Sequence, residues 1–208
     1  MKLSDFDYSL PESFIAKDPV NPRDSAKLLI FDSKTLTLKH CLFRDIVDHL
    51  SSKDVLVLNR SKVIKARILF DGCEIFLLKL VADNVYECLV KPGRKFKKGF
   101  KVSVQKNDRS FIFEILDVLA DGTRIIRFYS DHDIESFGEA PFPPYIKNSQ
   151  ASLDDYQTVY AAEKGSVASP TAGLHFTNDL LEKLKSNNVD IETVLLHVGL
   201  GTLDRKSV

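Results

Sequence analysis

Residues 66–129 constrain the fold more than any other part of this chain. Six short β-rich runs recur there, at residues 66–70, 74–81, 85–90, 100–105, 110–119 and 124–129. The breaks between them carry turn chemistry: Asp71-Gly72, Asp83-Asn84, Pro92-Gly93, Asn107-Asp108 and Asp121-Gly122. Glycine, asparagine and aspartate supply the left-handed backbone that tight hairpins need. Short strands joined by such turns predict a small antiparallel barrel or sandwich. The texture differs so sharply from its flanks that an inserted domain is expected.

The flanks mix helical and strand patterns. Before residue 25 the chain is extended and turn-rich, because Leu10, Asp18 and Asn21 each precede a proline and are pushed out of the helical region. Strands are predicted at residues 28–31, 36–41 and 55–58. Phe43, Ile46, Val47 and Leu50 form one apolar stripe, which predicts a short helix over residues 43–50. Residues 131–137 fit one helical turn. Pro141-Phe-Pro-Pro-Tyr145 cannot join a central strand and reads as a return linker. Ser152 with Asp155 resembles a capping box, which predicts a helix carrying Tyr156, Val159 and Tyr160. Thr177 is a good N-cap for a second helix that buries Leu180, Leu181 and Leu184. Residues 191–198 are β-rich and run into Gly199-Leu-Gly201.

Composition narrows the class. Of 208 residues 44% are hydrophobic and 28% charged, a balance that supports a packed core rather than disorder. Basic and acidic residues number 29 each, so global charge attracts no nucleic acid and only local clustering could. Such a cluster exists: Lys91, Arg94, Lys95, Lys97, Lys98, Lys101 and Lys106 fall close together with no acid among residues 91–106. It reads either as a phosphate-binding surface or as a solvated hairpin. The three cysteines, Cys41, Cys73 and Cys88, are widely spaced, which fits reduced thiols rather than a disulfide framework or a zinc knuckle. The five histidines show no metal-ligand spacing, and no metal site is expected. The first residues hold no apolar stretch for a signal peptide, and no apolar run approaches the ~20 residues of a membrane span. A cytoplasmic protein without membrane contact is expected.

Two motifs could carry chemistry. Ser169-Pro-Thr-Ala-Gly-Leu-His-Phe-Thr177 is a tight loop ending at a helix start, with His175 able to titrate near neutral pH. It reads as a ligand loop with a general base, or as a capped helix whose histidine packs locally. Leu196-His-Val-Gly-Leu-Gly-Thr202 ends a strand in Gly-x-Gly, which lets backbone approach a ligand. Asp204 stands where a dinucleotide fingerprint needs its third glycine, so the motif by itself is weak. His197 is in phase with Ile191, Thr193 and Leu195, and a core histidine is the alternative. Arg23-Asp24 is either an ion pair or a substrate clamp.

Taken in order, these pieces resemble the S-adenosylmethionine:tRNA ribosyltransferase-isomerase family of queuosine biosynthesis. The resemblance runs from Ser4-Asp-Phe-Asp7 and Leu10-Pro-Glu12 through Ile15-Ala16, Arg23-Asp24, Leu56-Val-Leu-Asn59, Ala66-Arg67 and Leu89-Val-Lys-Pro-Gly93. It continues through Pro143-Pro-Tyr-Ile146 and Tyr156-Gln-Thr-Val-Tyr-Ala161 to the two motifs above. It implies a mixed α/β domain, residues 1–63 plus 147–208, interrupted by an inserted antiparallel β-barrel, residues 64–146. It implies transfer and isomerisation of the ribosyl part of S-adenosylmethionine onto the aminomethyl group of a 7-deazaguanine in the tRNA anticodon. S-adenosylmethionine is then a co-substrate, tRNA the partner, and no bound cofactor is expected; a monomer is expected.

His175 and His197 become the candidate catalytic residues, one as base or base-orienter. Substrate-binding candidates are Arg23, Asp24, Asn59, Arg67, Tyr156, Gln157, Thr158, Thr171, Gly173, Thr177, Gly199, Gly201 and Thr202. Lys91, Arg94, Lys95, Lys97 and Lys98 are candidates for tRNA contact. Lys27, Arg60-Ser-Lys62, Lys65, Ser169 and Leu203 depart from the usual family residues. Family members also continue past the Gly-Leu-Gly-Thr motif, so a C-terminal truncation is expected here. Two other readings remain: a non-catalytic remnant that at most binds tRNA, and a different nucleotide-binding enzyme on a related scaffold.

Overall fold

The computed structural model describes residues 2–106, 108–143, 146 and 151–199. Six strands build its principal sheet: β5 Arg67–Phe70, β6 Cys73–Ala82, β7 Val85–Lys91, β8 Lys101–Lys106, β9 Arg109–Val118 and β10 Arg124–Tyr129. All neighbours are antiparallel, in the order β5-β6-β7-β10-β9-β8, and the edges β5 and β8 approach each other, so the sheet is nearly closed. All six runs predicted from turn chemistry are present. At the β5–β6 hairpin Asp71 and Gly72 both take positive φ, 42° and 69°, the backbone of a primed turn whose twist matches its strands.

Period-two alternation fills the barrel. Phe111, Phe113 and Ile115 of β9 and Ile126 and Phe128 of β10 point inward and are buried, while Ile112, Arg127 and Tyr129 point out. After β7 the chain crosses to the far edge before β8 begins, and Phe96 plugs the barrel during this crossing. Its ring is fully buried, 5.4 Å from Phe100 and 5.8 Å from Phe113. The Arg124 guanidinium holds the crossing segment through the carbonyls of Phe96 (2.9 Å) and Gly93 (3.0 Å).

The chain enters and leaves this sheet at one place. Arg67 and Glu139 form an antiparallel bridge, and a Cβ on Gly138 would sit 1.9 Å from the Lys65 carbonyl oxygen. Only glycine permits that approach.

A second core gathers Phe43, Leu58, Phe176, Leu180, Leu181, Leu184 and Val189. Around it lie the hairpin β1 Lys27–Asp32 with β2 Thr37–Leu42, the strand β3 Val55–Asn59, the helix α1 Asn178–Ser186 and the strand β12 Asp190–Val194. β12 pairs with β3 in parallel; β4 Ser61–Val63 pairs in parallel with β11 Glu163–Ser166. The Thr177 hydroxyl accepts from the Leu180 N–H at 3.1 Å, so the predicted N-cap forms, and Leu180, Leu181 and Leu184 are buried as expected. The whole is a mixed α/β fold with a barrel-like antiparallel sheet.

Three local expectations change. Residues 43–48 form a 3-10 helix rather than an α-helix. Ser152 and Asp155 do exchange their capping bonds, at 2.8 and 3.2 Å, yet turns follow instead of a helix. Tyr156 and Tyr160 are drawn in different directions, one against Phe142 and the other against Phe176, which a single helical face cannot do. The strand over 191–198 ends at Val194, because the Asn59 amide takes over the pairing: its Nδ2 donates to the Leu196 carbonyl (2.8 Å) and its Oδ1 accepts from the Leu196 N–H (3.1 Å). Strands β4 and β11 carried no periodicity and were not predicted.

Candidate active site

A cleft of about 270 Å³ lies between the extended leader and the loop of the first motif. Ala16, Pro19, Val20, Phe142, Pro143, Ile146, Tyr156 and Leu174 make its wall mostly apolar; Arg23, Asp155, Thr171 and His175 bring polar groups to it. Prolines keep the leader and residues 141–143 extended, so both present side chains without forming strands of their own. Thr171–His175 is a 3-10 turn that rests against the 3-10 turn Arg23–Ser25. On another side the turn packs onto Tyr160 because residue 173 is glycine: a Cβ there would lie 2.0 Å from the Tyr160 Oη.

His175 is half-buried, with its ring 5.2 Å from Phe43. Burial lowers its pKa below the ordinary 6.5, partly offset by a hydrogen bond to the Arg23 main chain. The imidazole is therefore neutral at pH 7 and able to accept a proton. Asp155 is held below the usual carboxylate range by the Ser152 N–H and hydroxyl, and is ionised.

Four of the sequence-predicted site residues thus meet in one cleft: Arg23, Tyr156, Thr171 and His175. Arg23 donates to the carbonyls of Gln157 and Asp154, the latter at 2.7 Å. Gln157 lies behind the wall and spends its amide on Val63, accepting from its N–H (3.0 Å) and donating to its carbonyl (2.7 Å). Thr158 is buried beside Gly173, and Thr177 caps α1. Asp24 faces Arg44 at 4.0 Å. Arg67 sits on the barrel, paired with Glu74 at 3.0 Å and over the Phe76 ring. Asn59 is engaged by Leu196, as described.

His197 is exposed and does not line the cleft; it packs on Gly165, where a Cβ would meet the His197 Cε1 at 2.6 Å. Gly199 is exposed. Gly201 and Thr202 lie outside the described residues, as do Pro144 and Tyr145 of the Pro143-Pro-Tyr-Ile146 motif. Asp155, Phe142 and Leu174 line the cleft and were missed as site residues. Gly165, which packs against His197 outside the cleft, was missed as well, a lone glycine in a strand being its available signal.

The basic cluster splits. Lys98 pairs with Asp117 (3.1 Å), Lys101 with Glu114 (3.9 Å) and Lys106 with Glu139 (3.2 Å). Lys95 lies 3.5 Å from the Cys73 sulfur. Lys91, Arg94 and Lys97 are exposed and make no ion pair among the described residues. The departing residue Arg60 pairs with Glu163 at 2.8 Å. Among the described residues no helix is long and apolar enough to cross a membrane.

A leader and a motif loop closing on a neutral histidine, beside a barrel-like sheet, define a class that comparison makes specific. The queuosine biosynthesis protein family matches residues 3–208, and the chain belongs to that family. It is 47% identical over 210 residues to the S-adenosylmethionine:tRNA ribosyltransferase-isomerase of Thermosipho africanus, covering 97% of this chain and 61% of the relative. The Thermosipho melanesiensis protein of the same name is 48% identical over 208 residues, with the same coverage of both chains. A crystal structure of S-adenosylmethionine tRNA ribosyltransferase from Thermotoga maritima is 35% identical, covers 94% of this chain and 59% of that one, and superposes with a TM-score of 0.40. The chain spans about 61% of the length of these curated relatives.

Proposed function

We propose that this chain carries the His175 cleft of an S-adenosylmethionine:tRNA ribosyltransferase-isomerase. The observation that carries the reading is the convergence of Arg23, Tyr156, Thr171 and a neutral His175 on one apolar cleft. In this reading the ribosyl group of S-adenosylmethionine moves to the aminomethyl group of a 7-deazaguanine in the tRNA anticodon. Adenine and methionine leave, and an epoxycyclopentanediol results. The sulfonium acidifies an adjacent C–H, and His175 removes that proton; a base with a pKa near working pH is suited to this step. The apolar wall favours it further, since excluding water strengthens the stabilisation by the positive sulfur of the negative charge that develops on carbon as the proton passes to His175. His197, outside the cleft, is assigned a supporting role on Gly165.

The barrel, residues 64–146, is read as an insertion into a base domain of residues 1–63 and 147–208. Its ends being joined by the Arg67–Glu139 bridge supports this. A cytoplasmic monomer fits the reading. The exposed cations Lys91, Arg94 and Lys97 support the second reading, tRNA binding without turnover.

The test is adenine release from S-adenosylmethionine in the presence of tRNA bearing the aminomethyl base, with the chain and its His175→Ala and His197→Ala variants. Release that falls by about 10²–10⁴-fold in His175→Ala is expected. Full release in His175→Ala would remove His175 as the base. Salt-dependent tRNA binding with no release by the unaltered chain would establish the second reading instead.

A further inference from the structure

Residues 16–20 form one wall of the cleft, yet they are exposed and belong to no strand or helix. No element of their own fixes their distance from the opposite wall. Arg23 follows them in the chain and spans the gap with its guanidinium. One terminal nitrogen donates to the Gln157 carbonyl and the other to the Asp154 carbonyl, the latter at 2.7 Å. Asp155 and Tyr156, between these two acceptors, are part of the opposite wall. A planar fork suits two carbonyls, and a lysine ammonium does not span them in the same way. The clasp continues behind the wall. Gln157 is 8% exposed and does not line the cleft. Its amide accepts from the Val63 N–H (3.0 Å) and donates to the Val63 carbonyl (2.7 Å), as the opposite residue of a β-ladder would. Val63 ends β4, and Ile64 beside it already belongs to the barrel core.

We infer that Gln157 is a positioning residue for the cleft. Its amide seats the 154–157 loop on β4. Its carbonyl, with that of Asp154, holds Arg23 and so the leader wall that precedes it. The gap between the two walls is thus set from Val63 through one glutamine and one arginine, with the Gln157 side chain out of reach of any ligand in the cleft. A fixed gap matters because a ligand entering it loses less free energy to ordering the walls. Glutamine suits this task because one amide offers both an acceptor and a donor. Glutamate keeps the acceptor for the Val63 N–H but sets a second acceptor against the Val63 carbonyl, and leucine offers neither. The inference deepens the proposed function and rests on it only for S-adenosylmethionine as the ligand; the clasp stands on its own hydrogen bonds.

The experiment is backbone amide NMR of the nitrogen-15-labelled chain, first without ligand and then titrated with S-adenosylmethionine. In the ligand-free Gln157→Leu variant the resonances of Ala16, Lys17 and Val20 are expected to move while those of β9 stay in place. Its S-adenosylmethionine affinity is expected to fall about tenfold, since the leader must then be ordered on binding. Gln157→Glu should move the same leader resonances by less, because half of the amide's pairing remains. Arg23→Lys should reproduce the leader shifts from the other end of the clasp. If Gln157→Leu does not fold, Gln157→Glu decides. Unmoved leader resonances in a folded Gln157 variant, or moved resonances with unchanged affinity, would overturn the inference. So would an Arg23→Lys variant that loses affinity with its ligand-free leader unmoved, the behaviour of a clamp on the substrate. Should the unaltered chain bind no S-adenosylmethionine, the proposed function fails, and the leader resonances of the ligand-free variants still decide the clasp.

Discussion

At the scale of single residues, His175 and Gly165 make the most specific claims. The folded pKa of His175 lies below its ordinary 6.5 because of burial. Between those two values the unfolded chain binds more protons than the folded one, so stability rises with pH there. This contribution is complete above 6.5 and is lost as pH falls from 6.5 through the folded value. Urea midpoints at about pH 7.5 and about pH 5.5 should therefore differ less in His175→Gln than in the unaltered chain. An equal acid-side fall in both proteins would show that His175 is not held neutral. Gly165 has φ +136° and no room for a Cβ against the His197 ring. Gly165→Ala should cost about 1–3 kcal/mol and displace the His197 ring resonances. A variant with an unchanged melting temperature and unchanged His197 signals would contradict this packing.

At the scale of elements, legibility followed periodicity. The barrel strands could be read because turn residues bounded each run and inward positions alternated, as in Phe111, Phe113 and Ile115. Helix α1 could be read because Thr177 caps it and its leucines share one face. Strands β4 and β11 are too short to show a period, and their pairing joins residues about a hundred apart in sequence. The cleft was only half legible. The motif containing His175 stood out, but the leader that closes over it has no pattern beyond its prolines. The roles of Asn59 and Gln157 were invisible, because an amide that pairs with distant backbone looks in sequence like one that binds a ligand. The helix also gives a graded expectation. Thr177→Ala should lower stability by about 1 kcal/mol through the lost cap. Leu184→Ala, which empties a fully buried site, should cost about 2–5 kcal/mol. Equal losses in thermal or urea unfolding would mean that α1 is not seated on the second core.

At the scale of the whole molecule, the described residues leave apolar and basic side chains exposed. Leu29, Phe31 and Leu38 on the β1–β2 hairpin and Val55 and Val57 on β3 are each more than half exposed. Exposed apolar side chains of this kind bind hydrophobic dyes and promote association. A basic group sits on the plugged crossing of the barrel. Three of its side chains, Lys91, Arg94 and Lys97, are free of carboxylate partners among the described residues. On the proposal that this group contacts tRNA, replacing each by alanine should weaken tRNA binding and flatten its salt dependence by roughly one unit of slope per side chain. Lys98→Ala, which breaks an ion pair with Asp117, should change the slope less.

The cleft is where residue, element and molecule meet, and the proposal that it binds S-adenosylmethionine can be tested directly. Titrating S-adenosylmethionine into the isotope-labelled chain should shift the resonances of His175, Tyr156 and Thr171 together, with one common saturation curve. Shifts confined to His197 and Gly165, or no shift at about millimolar ligand, would contradict the assignment of this cleft as the substrate site.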